Sequence, residues 1–341
     1  MLLSVLDQSP IPEGQTAHDA LRNTVDLARW ADRLGYHRYW VAEHHGTPAL
    51  ACNSPEVLIG PIAETTSSIR VGSGGIMLPH YSPLKVAENF SMLSNMYPSR
   101  IDLGVGRAAG TSPNVAFALQ RDRRQPAPDD FPDQLDELLA YLGKATANDP
   151  RLPQPAVPAP LARPDVWLLG SSPQSAFWAA ELGLPYCFAD FINPEGAELA
   201  RHYALAFTPS GHTPEARTAV AAWVICAPTD EEAYGLSLSA RMIMTLLHRG
   251  RLIPVPATER ARQFLAQEQT SAELSGMRRR FITGSPETVR KAIEALAEDY
   301  GAQEVFLVNI LHSHEARRRS YELVAREFNL HPAGESKRAV A

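Results

Sequence analysis

Cysteine and basic charge are both scarce in this sequence, and each shortage argues against a class of protein. The 341 residues include three cysteines, Cys52, Cys187 and Cys226, which lie far apart and form no CxxC motif. They do not make a disulfide framework, and they predict buried, reduced thiols in a cytoplasmic protein. The net charge of −6 at pH 7 argues against a nucleic-acid-binding protein. Two short basic runs, 278–280 and 317–319, are predicted to be solvated helix faces.

Long apolar runs are also absent. No stretch is long and apolar enough to span a bilayer, and no basic segment precedes an apolar core at the N-terminus. We therefore expect neither a membrane segment nor a secretory signal. Proline, by contrast, is abundant, and the concentration of prolines between Pro126 and Pro164 predicts a loop region.

What the chain does have is a regular alternation of short β-rich apolar runs and helical patterns. Residues 17–34, for example, carry apolar side chains at helical spacing and end before Gly35, where a glycine commonly terminates a helix. Ser-Pro pairs open several of the other predicted helices. Eight strands are predicted, at 2–6, 39–42, 69–73, 101–105, 166–169, 185–189, 219–226 and 304–309.

Eight strands that are each followed by a helix predict an α/β fold, a (β/α)8 TIM barrel with loop insertions. We expect residues 1–330 to form a single domain and the unpatterned residues 331–341 to form a mobile C-terminal tail. Because the active site of such a barrel lies at the C-terminal ends of its strands, the residues directly after each strand are the candidates for function.

Glu43-His44-His45 directly follows the second predicted strand. Since imidazole titrates near neutral pH, histidines beside a carboxylate at a barrel mouth can supply a general acid or base. Histidine is also a common metal ligand, and a pair of polar rim residues would give the same sequence. The residues alone leave these three interpretations open.

The fourth predicted strand ends in Gly104-Val105-Gly106-Arg107-Ala108-Ala109, which matches the loose dinucleotide-binding pattern GxGxxA. We reject that interpretation because the pattern lies in the fourth βα unit and no second strand ending in an acidic residue follows at about twenty residues. Arg107 is more informative. It is a permanent cation that can hold an anion through two hydrogen bonds, at the point where the chain turns into the predicted pocket.

A second anion-binding candidate follows the fifth predicted strand, in the run Gly170-Ser171-Ser172-Pro173-Gln174-Ser175. Ser172 suits a helix N-cap and Pro173 the first helical position, so the free amides of that helix would point toward the barrel mouth. Because strands four and five are neighbours in a barrel, Arg107 and the N-terminus of this helix could bind the same phosphate. A plain Ser-Pro helix start is the alternative.

The third predicted strand ends in Gly72-Ser73-Gly74-Gly75-Ile76. Glycines within an apolar strand indicate a bulge or a close approach of the backbone to a ligand. A flat ring system lying against Gly74 and Gly75 would explain their presence, and a simple kink is the alternative.

His312-Ser313-His314, after the last predicted strand, raises the alternative of a metal-dependent barrel hydrolase. Barrel hydrolases of the amidohydrolase type also carry an HxH pair, but on the first strand, where this sequence offers only Asp7. Positions on the rim or in the first turn of a helix are favoured for His312 and His314.

Several of these runs together resemble the family of bacterial luciferase-like monooxygenases, in the family's order and over residues 2–329. The resemblance rests on seven runs: YWVAEHH (39–45), VGSGGIMLP (71–79), RIDLGVGR (100–107), WLLGSS (167–172), WAAELGLP (178–185), GSPE (284–287) and EVFLVN (304–309).

The resemblance implies a barrel that binds reduced FMN, supplied by a separate flavin reductase, and uses dioxygen to oxygenate a small organic substrate. It implies that His44 is the catalytic residue, which transfers a proton at the flavin, and that Arg107 binds the phosphate. Members of the family are often homodimers, which implies a homodimer here, and no metal ligand is implied.

The other residues carried over by the resemblance belong to the cofactor site. Gly74-Gly75 matches the place where the family often has a bulge with a non-prolyl cis peptide against the flavin ring. Phosphate binding is implied for the run after the fifth strand, which comprises Gly170, Ser171, Ser172 and Ser175.

One difference from the family's pattern indicates which branch of the family the chain resembles. The light-emitting members carry a carboxylate just before the phosphate-binding serines, and this sequence has Gly170 there. The chain resembles the single-subunit oxidoreductases more closely, so bioluminescence is not expected. Because the family also includes deazaflavin-dependent dehydrogenases and non-catalytic flavin-binding proteins, both remain alternative functions.

Overall fold

The computed structural model describes residues 1–107, 112–120, 122–125, 129–143, 163–267 and 281–332. Most of the predicted tail, 333–341, and the basic run 278–280 lie outside these ranges. Much of the proline-rich stretch between Pro126 and Pro164 does so too.

Parallel strands form the centre of the molecule, as the alternating pattern predicts. The strands of the described ranges are β1 (Leu2–Asp7), β2 (Arg38–Val41), β3 (Arg70–Met77), β4 (Ile101–Gly106), β5 (Asp165–Gly170), β6 (Tyr186–Ala189), β7 (Thr218–Cys226), β8 (Phe281–Gly284) and β9 (Glu304–Val308).

Eight of these strands close into a barrel. Each of β1 to β7 pairs with the next, β7 pairs with β9, and β9 pairs with β1, all in parallel. Val5 of β1, for instance, lies opposite Tyr39 of β2 and Leu307 of β9. The predicted (β/α)8 barrel is therefore confirmed. The sequence did not predict β8, a short strand that pairs with the C-terminal half of β7 from Trp223 to Cys226.

Helices follow the strands and pack around the barrel. Those in the described ranges are α1 (Ala17–Leu34), α2 (Pro55–Thr65), α3 (Pro83–Met96), α4 (Pro113–Leu119), α5 (Phe131–Leu142), α6 (Pro173–Glu181), α7 (Ala197–Ala206), α8 (Asp230–His248), α9 (Thr258–Gln267), α10 (Pro286–Tyr300) and α11 (His314–Glu327).

The helix starts follow local chemistry. Proline occupies the first turn of α2, α3, α6 and α10, where its missing N–H has no intrahelical partner to lose. Thr16 forms a capping box with Asp19 at the start of α1, and Gly35 ends that helix in the left-handed conformation at φ 88°. None of the described helices has the length and apolar character needed to span a membrane.

The barrel interior is filled by large side chains, so it is a packed core and not a pore. The fully buried Trp40 stacks on Phe306 with ring centroids 4.0 Å apart and meets Trp167 edge-on at 5.4 Å. At the N-terminal end of the strands, Arg38 pairs with Asp102 at 2.7 Å and with Glu304 at 3.1 Å. Because side chains fill the interior and the N-terminal end of the barrel, a ligand-binding site is expected at the C-terminal end of the strands.

One prediction about surface charge is wrong. Arg317, expected on a solvated helix face, is buried and pairs with Asp7 at 2.6 Å. Burial opposes the charged form of Asp7, but the Arg317 guanidinium outweighs it and holds the pKa of Asp7 below its usual value. The two residues are 310 positions apart, so no local pattern could have paired them.

Candidate active site

All the site residues that the family resemblance implies line one cavity of about 420 Å³ at the C-terminal end of the barrel. These residues are His44, Gly74, Gly75, Arg107, Gly170, Ser171, Ser172 and Ser175. They come from the ends of β2, β3, β4 and β5. They converge because parallel strands in a closed barrel all end on the same face.

One end of the cavity is formed by the first turn of α6. Ser172 caps this helix by accepting a hydrogen bond from the Ser175 backbone N–H at 3.4 Å. The Ser175 hydroxyl donates to the Ser172 carbonyl oxygen at 2.8 Å. Asn193 fixes the preceding loop by donating to the Ser171 carbonyl oxygen at 3.0 Å. Free amides and hydroxyls at a positive helix end make this part of the cavity suitable for an anion.

Arg107 lies beside that helix, as the neighbouring positions of β4 and β5 predict. Its guanidinium lies 5.6 Å from the ring centroid of Trp178 on α6, and its Nη2 pairs with Asp129 at 2.9 Å. The Arg107 side chain is 47% exposed, so the charge faces solvent and the cavity mouth. An exposed pair of this kind is weak and can be exchanged for a bound anion.

The glycine wall contains the expected bulge. The register between β3 and β4 shifts between Ser73 and Ile76, and the Gly74–Gly75 peptide bond is cis. A Cβ on Gly74 would collide with Leu6, and one on Gly75 would come within 2.7 Å of Leu169. The neighbours that move less easily are the Gly104 carbonyl oxygen, 2.8 Å from a Cβ on Gly75, and Trp40 Cβ, 3.0 Å from a Cβ on Gly74, so contacts within the protein already favour glycine at both positions.

His44 lines the same cavity from the end of β2. Its backbone N–H donates to the Cys52 carbonyl oxygen at 3.0 Å, which fixes the chain just after β2. The Nδ1 atom is buried and has no hydrogen-bond partner among the residues that the structure describes. Burial, with the neighbouring His45, lowers the pKa of His44 to about 4. The imidazole is therefore neutral at pH 7 and can accept a proton or a hydrogen bond.

One family model, described as luciferase-like monooxygenase, matches residues 1–304 of the chain. The chain belongs to the luciferase-like monooxygenase family. It is therefore an oxidoreductase, as the resemblance implied.

Relatives in this family match over nearly their whole length. The uncharacterized protein YwcH of Bacillus subtilis (strain 168) is 46% identical over 333 residues, which cover 96% of this chain and 98% of that protein. The N-acetyl-S-alkylcysteine monooxygenase of the same organism is 38% identical over 329 residues, which cover 95% and 97%.

Solved structures confirm the barrel. Apo-MsnO8 matches with a TM-score of 0.88 at 40% identity, over 97% of this chain and 99% of that chain. More distant structures share the fold alone. The oxygenating constituent of 3,6-diketocamphane monooxygenase, in complex with FMN, has a TM-score of 0.72 at 22% identity, over 96% and 97% of the two chains. An F420-dependent secondary alcohol dehydrogenase has a TM-score of 0.61 at 16% identity, over 97% and 98%.

In this luciferase-like monooxygenase, Glu43 and His45, the sequence neighbours of His44, do not line the cavity of about 420 Å³. Glu43 is fully buried, and its Oε1 lies 2.7 Å from His45 Nε2 and accepts from the Tyr81 hydroxyl at 2.9 Å. Its Oε2 accepts from the Met77 backbone N–H at 3.0 Å. Glu43 thus ties the end of β2 to the end of β3, while His44 alone of the three lines the cavity of about 420 Å³.

The histidines after the last strand do not join the site. His312 Nε2 lies 3.3 Å from the Glu13 carbonyl oxygen, and His314 Nε2 lies 2.9 Å from Asp26 Oδ2. Within the described ranges, no group of three or more His, Cys, Asp or Glu side chains is arranged to hold a metal ion. The GxGxxA run also departs from a dinucleotide turn, because Gly104 and Gly106 both lie within β4.

Sequence reasoning missed part of the lining of this oxidoreductase. Gln8 and Phe191 follow β1 and β6, so the rule that selected His44 could have found them. The missed residues are Leu6, Gln8, Trp40, Ala42, Met77, Gly106, Phe131, Leu168, Leu169, Trp178, Cys187, Ala189, Phe191, Ile192 and Ala221. Cys187 is a buried free thiol, as predicted, and so are Cys52 and Cys226. For residues on helices or inside strands, such as Trp178, the sequence gives no sign that they reach the cavity.

Proposed function

We propose that this chain is an FMN-dependent monooxygenase that receives reduced FMN from a separate flavin reductase and uses dioxygen to oxygenate a small organic substrate. The observation that carries the proposal is the buried, unpartnered Nδ1 of His44 in the same cavity as an anion-binding helix start. A cofactor with a phosphate at one end and a reactive ring at the other matches that pair of features.

The phosphate end of FMN fits the α6 side of the cavity. We assign the phosphate to Arg107, to the hydroxyls of Ser171, Ser172 and Ser175, and to the free amides of the first turn of α6. A phosphate is favoured there by the guanidinium charge and by the helix dipole. Asp129, which pairs with Arg107 at 2.9 Å, would release the guanidinium to the phosphate.

The ring system of FMN fits the part of the cavity between Gly74 and His44. Leu6, Leu168 and Leu169 give this part of the cavity apolar sides, which exclude water from a bound ring system. Gly106 contributes by leaving space, because a Cβ there would meet only Met77 Sδ at 3.9 Å and would otherwise project into open space.

When bound, reduced FMN supplies the electrons that activate dioxygen. The protein's part is to hold the ring in an apolar enclosure and to move a proton near it. We assign that proton transfer to His44, whose neutral imidazole presents an unpaired Nδ1. Glu43 acts indirectly, because it anchors the strand ends on both sides of His44.

The reductase partner and the homodimer are proposed because they are common in the family, and the cytoplasmic location because the three cysteines are free thiols. Sedimentation of the purified chain tests the dimer directly.

Anaerobic titration with reduced FMN and with a reduced deazaflavin tests the cofactor. Admission of dioxygen in the presence of a substrate panel that includes N-acetyl-S-methylcysteine then tests the reaction, with products identified by mass spectrometry. We expect reduced FMN to bind and an oxygenated product to form. Tight binding of the deazaflavin alone, with alcohol oxidation and no oxygen incorporation, would instead identify a deazaflavin-dependent dehydrogenase.

The role of His44 is tested with His44→Gln, and the exposed His212→Gln serves as the control. His44→Gln is expected to leave FMN affinity near that of the wild type and to reduce product formation by about 10²-fold or more, the usual contribution of a general acid or base. Equal losses of binding and of product formation would make His44 a binding residue.

A further inference from the structure

A second cavity, of about 710 Å³, adjoins the one assigned to FMN. The two share four lining residues, Gln8, His44, Phe191 and Ile192. His44 therefore borders both spaces, and a molecule in the second cavity lies next to the reactive end of the first. The outer wall is supplied by α8 and by the segment that follows it, which includes Leu252 and Val255.

The walls of the second cavity are apolar and carry little charge. Ile243, Met244 and Leu247 of α8 face it, and its described lining contains no Asp, Glu, Lys or Arg. The exposed part of the lining includes the apolar Leu247, which is 41% exposed, and Ile192, which is 53% exposed, together with His248. An anionic guest would find no Lys or Arg in the described lining to replace its hydration, and the titratable side chains there are His44, His45 and His248, so the cavity favours an uncharged guest.

Two buried polar atoms of side chains in this lining, His44 Nδ1 and Trp223 Nε1, have no hydrogen-bond partner among the residues that the structure describes. Trp223 is 4% exposed, and its indole Nε1 has no acceptor among the residues that the structure describes. The ring is held in place by Phe281, stacked at 5.5 Å, and by Phe191, edge-on at 5.8 Å.

An indole N–H is a donor and cannot accept, so its missing partner is a hydrogen-bond acceptor. Two other tryptophans, Trp30 and Trp167, also have a buried Nε1 without a partner in the described ranges. Trp223 is the one of the three that lines either of these two cavities.

We propose that the second cavity binds the substrate, and that this substrate is an uncharged, mostly apolar organic molecule with an acceptor oxygen that accepts a hydrogen bond from Trp223 Nε1. The assignment as substrate rests on the proposed function, while the binding preference stands on the cavity itself. Trp223 acts as a specificity-determining residue, and the shared wall at His44 directs the bound molecule toward the flavin.

Binding to the flavin-free protein tests this preference separately from the proposed activity. A neutral fluorophore, N-phenyl-1-naphthylamine, is bound first and then displaced by acetophenone, by ethylbenzene or by benzoate. Acetophenone has the acceptor oxygen, ethylbenzene has the same shape without it, and benzoate carries a full charge. We expect acetophenone to displace the fluorophore at the lowest concentration and benzoate to require at least about tenfold more.

Three variants locate the interaction. Met244→Trp narrows the cavity and is expected to weaken binding of the fluorophore. Trp223→Phe keeps an aromatic ring but removes the N–H. We expect it to weaken the binding of acetophenone by about fivefold, which corresponds to one hydrogen bond, and to change the binding of ethylbenzene by less than about twofold. Trp30→Phe, which removes an unpaired indole N–H outside both cavities, is the matched control.

Three results would overturn the proposal: equal displacement by benzoate, fluorophore binding unchanged by Met244→Trp, or equal effects of Trp223→Phe on acetophenone and ethylbenzene. If Trp223→Phe does not fold, two tests of the proposal remain. They are the comparison of benzoate with acetophenone on the wild-type protein and the effect of Met244→Trp on fluorophore binding. Because no flavin is present, failure of the FMN proposal would leave these results unchanged. Normal FMN binding and turnover with no ligand preference would refute this inference alone.

Discussion

The hydroxyl groups of Ser175 and Tyr186 lie 3.0 Å apart under the first turn of α6, and Gly170 leaves the room that they occupy. A Cβ on Gly170 would come within 2.6 Å of Ser175 Cβ and would meet the Ser175 hydroxyl. The resemblance marks Gly170 as a departure from the light-emitting members, which carry a carboxylate there. In this structure a larger residue would displace a side chain assigned to the phosphate.

Gly170→Ala is therefore expected to impair the phosphate site. Pushing Ser175 aside should weaken FMN binding by about tenfold and lower the free energy of unfolding by about 1–3 kcal/mol, the usual cost of overpacking. Fluorescence titration and urea unfolding measure the two effects. Gly211→Ala, whose Cβ would meet nothing within 4 Å, should change neither. Unchanged FMN affinity in Gly170→Ala would remove Ser175 from the phosphate site.

Arg107 gives a second prediction about the same site. Arg107→Ala should weaken FMN binding by about 1.5–3 kcal/mol, the worth of a charge-assisted hydrogen bond. Asp129→Asn should strengthen FMN binding by up to about fivefold, since it removes the carboxylate that competes with the phosphate for the Arg107 guanidinium. Isothermal titration measures both, with Arg124→Ala as the control because Arg124 pairs with Asp122 on the surface. Equal affinities in all three variants would place the phosphate elsewhere.

The lowered pKa of His44 predicts a pH dependence of stability. An unfolded histidine takes up a proton near pH 6.5, whereas folded His44 does so only near pH 4. Between these values the unfolded state binds more protons, so the free energy of unfolding decreases as the pH falls.

Urea unfolding of the wild type and of His44→Gln at pH 7.0 and 4.5 isolates this contribution, because the other titrating groups cancel in the difference. The wild type should lose up to about 2 kcal/mol more than the variant on acidification. Parallel losses would show that His44 titrates normally in the folded protein.

Glu43 is expected to be essential for stability. Glu43→Ala leaves His45, the Tyr81 hydroxyl and the Met77 amide without the buried carboxylate that they share. A buried hydrogen-bonding group that loses its partner costs about 1–3 kcal/mol, so the loss of these three contacts should lower the free energy of unfolding by at least about 2 kcal/mol. Circular dichroism during urea unfolding measures it. The matched control is Glu64→Ala, because Glu64 accepts from the Tyr97 hydroxyl at an exposed position. A loss below about 1 kcal/mol would contradict the anchoring role.

Much of the architecture and of the candidate site was predictable from the sequence. Residues 17–34 show helical spacing and form α1 within those bounds. Ser172-Pro173 marks the start of α6 through local backbone chemistry alone. Once eight strand–helix units are recognised, barrel closure places every strand end on one face, which is why His44 and Arg107 could be assigned to one cavity. The extent of the single domain remains a prediction.

Tertiary structure decided what depends on side-chain direction and on contacts between distant parts of the chain. Glu43 and His44 are adjacent in the sequence, yet one carboxylate is fully buried as an anchor while the neighbouring imidazole lines the cavity. Arg317 was predicted to be solvated and is buried against Asp7, 310 positions away. The second cavity exists because α8 packs over the ends of strands, with Trp223 inside it. Local periodicity reports which residues repeat along an element, but the partner that buries or exposes a given side chain is set only when the barrel closes.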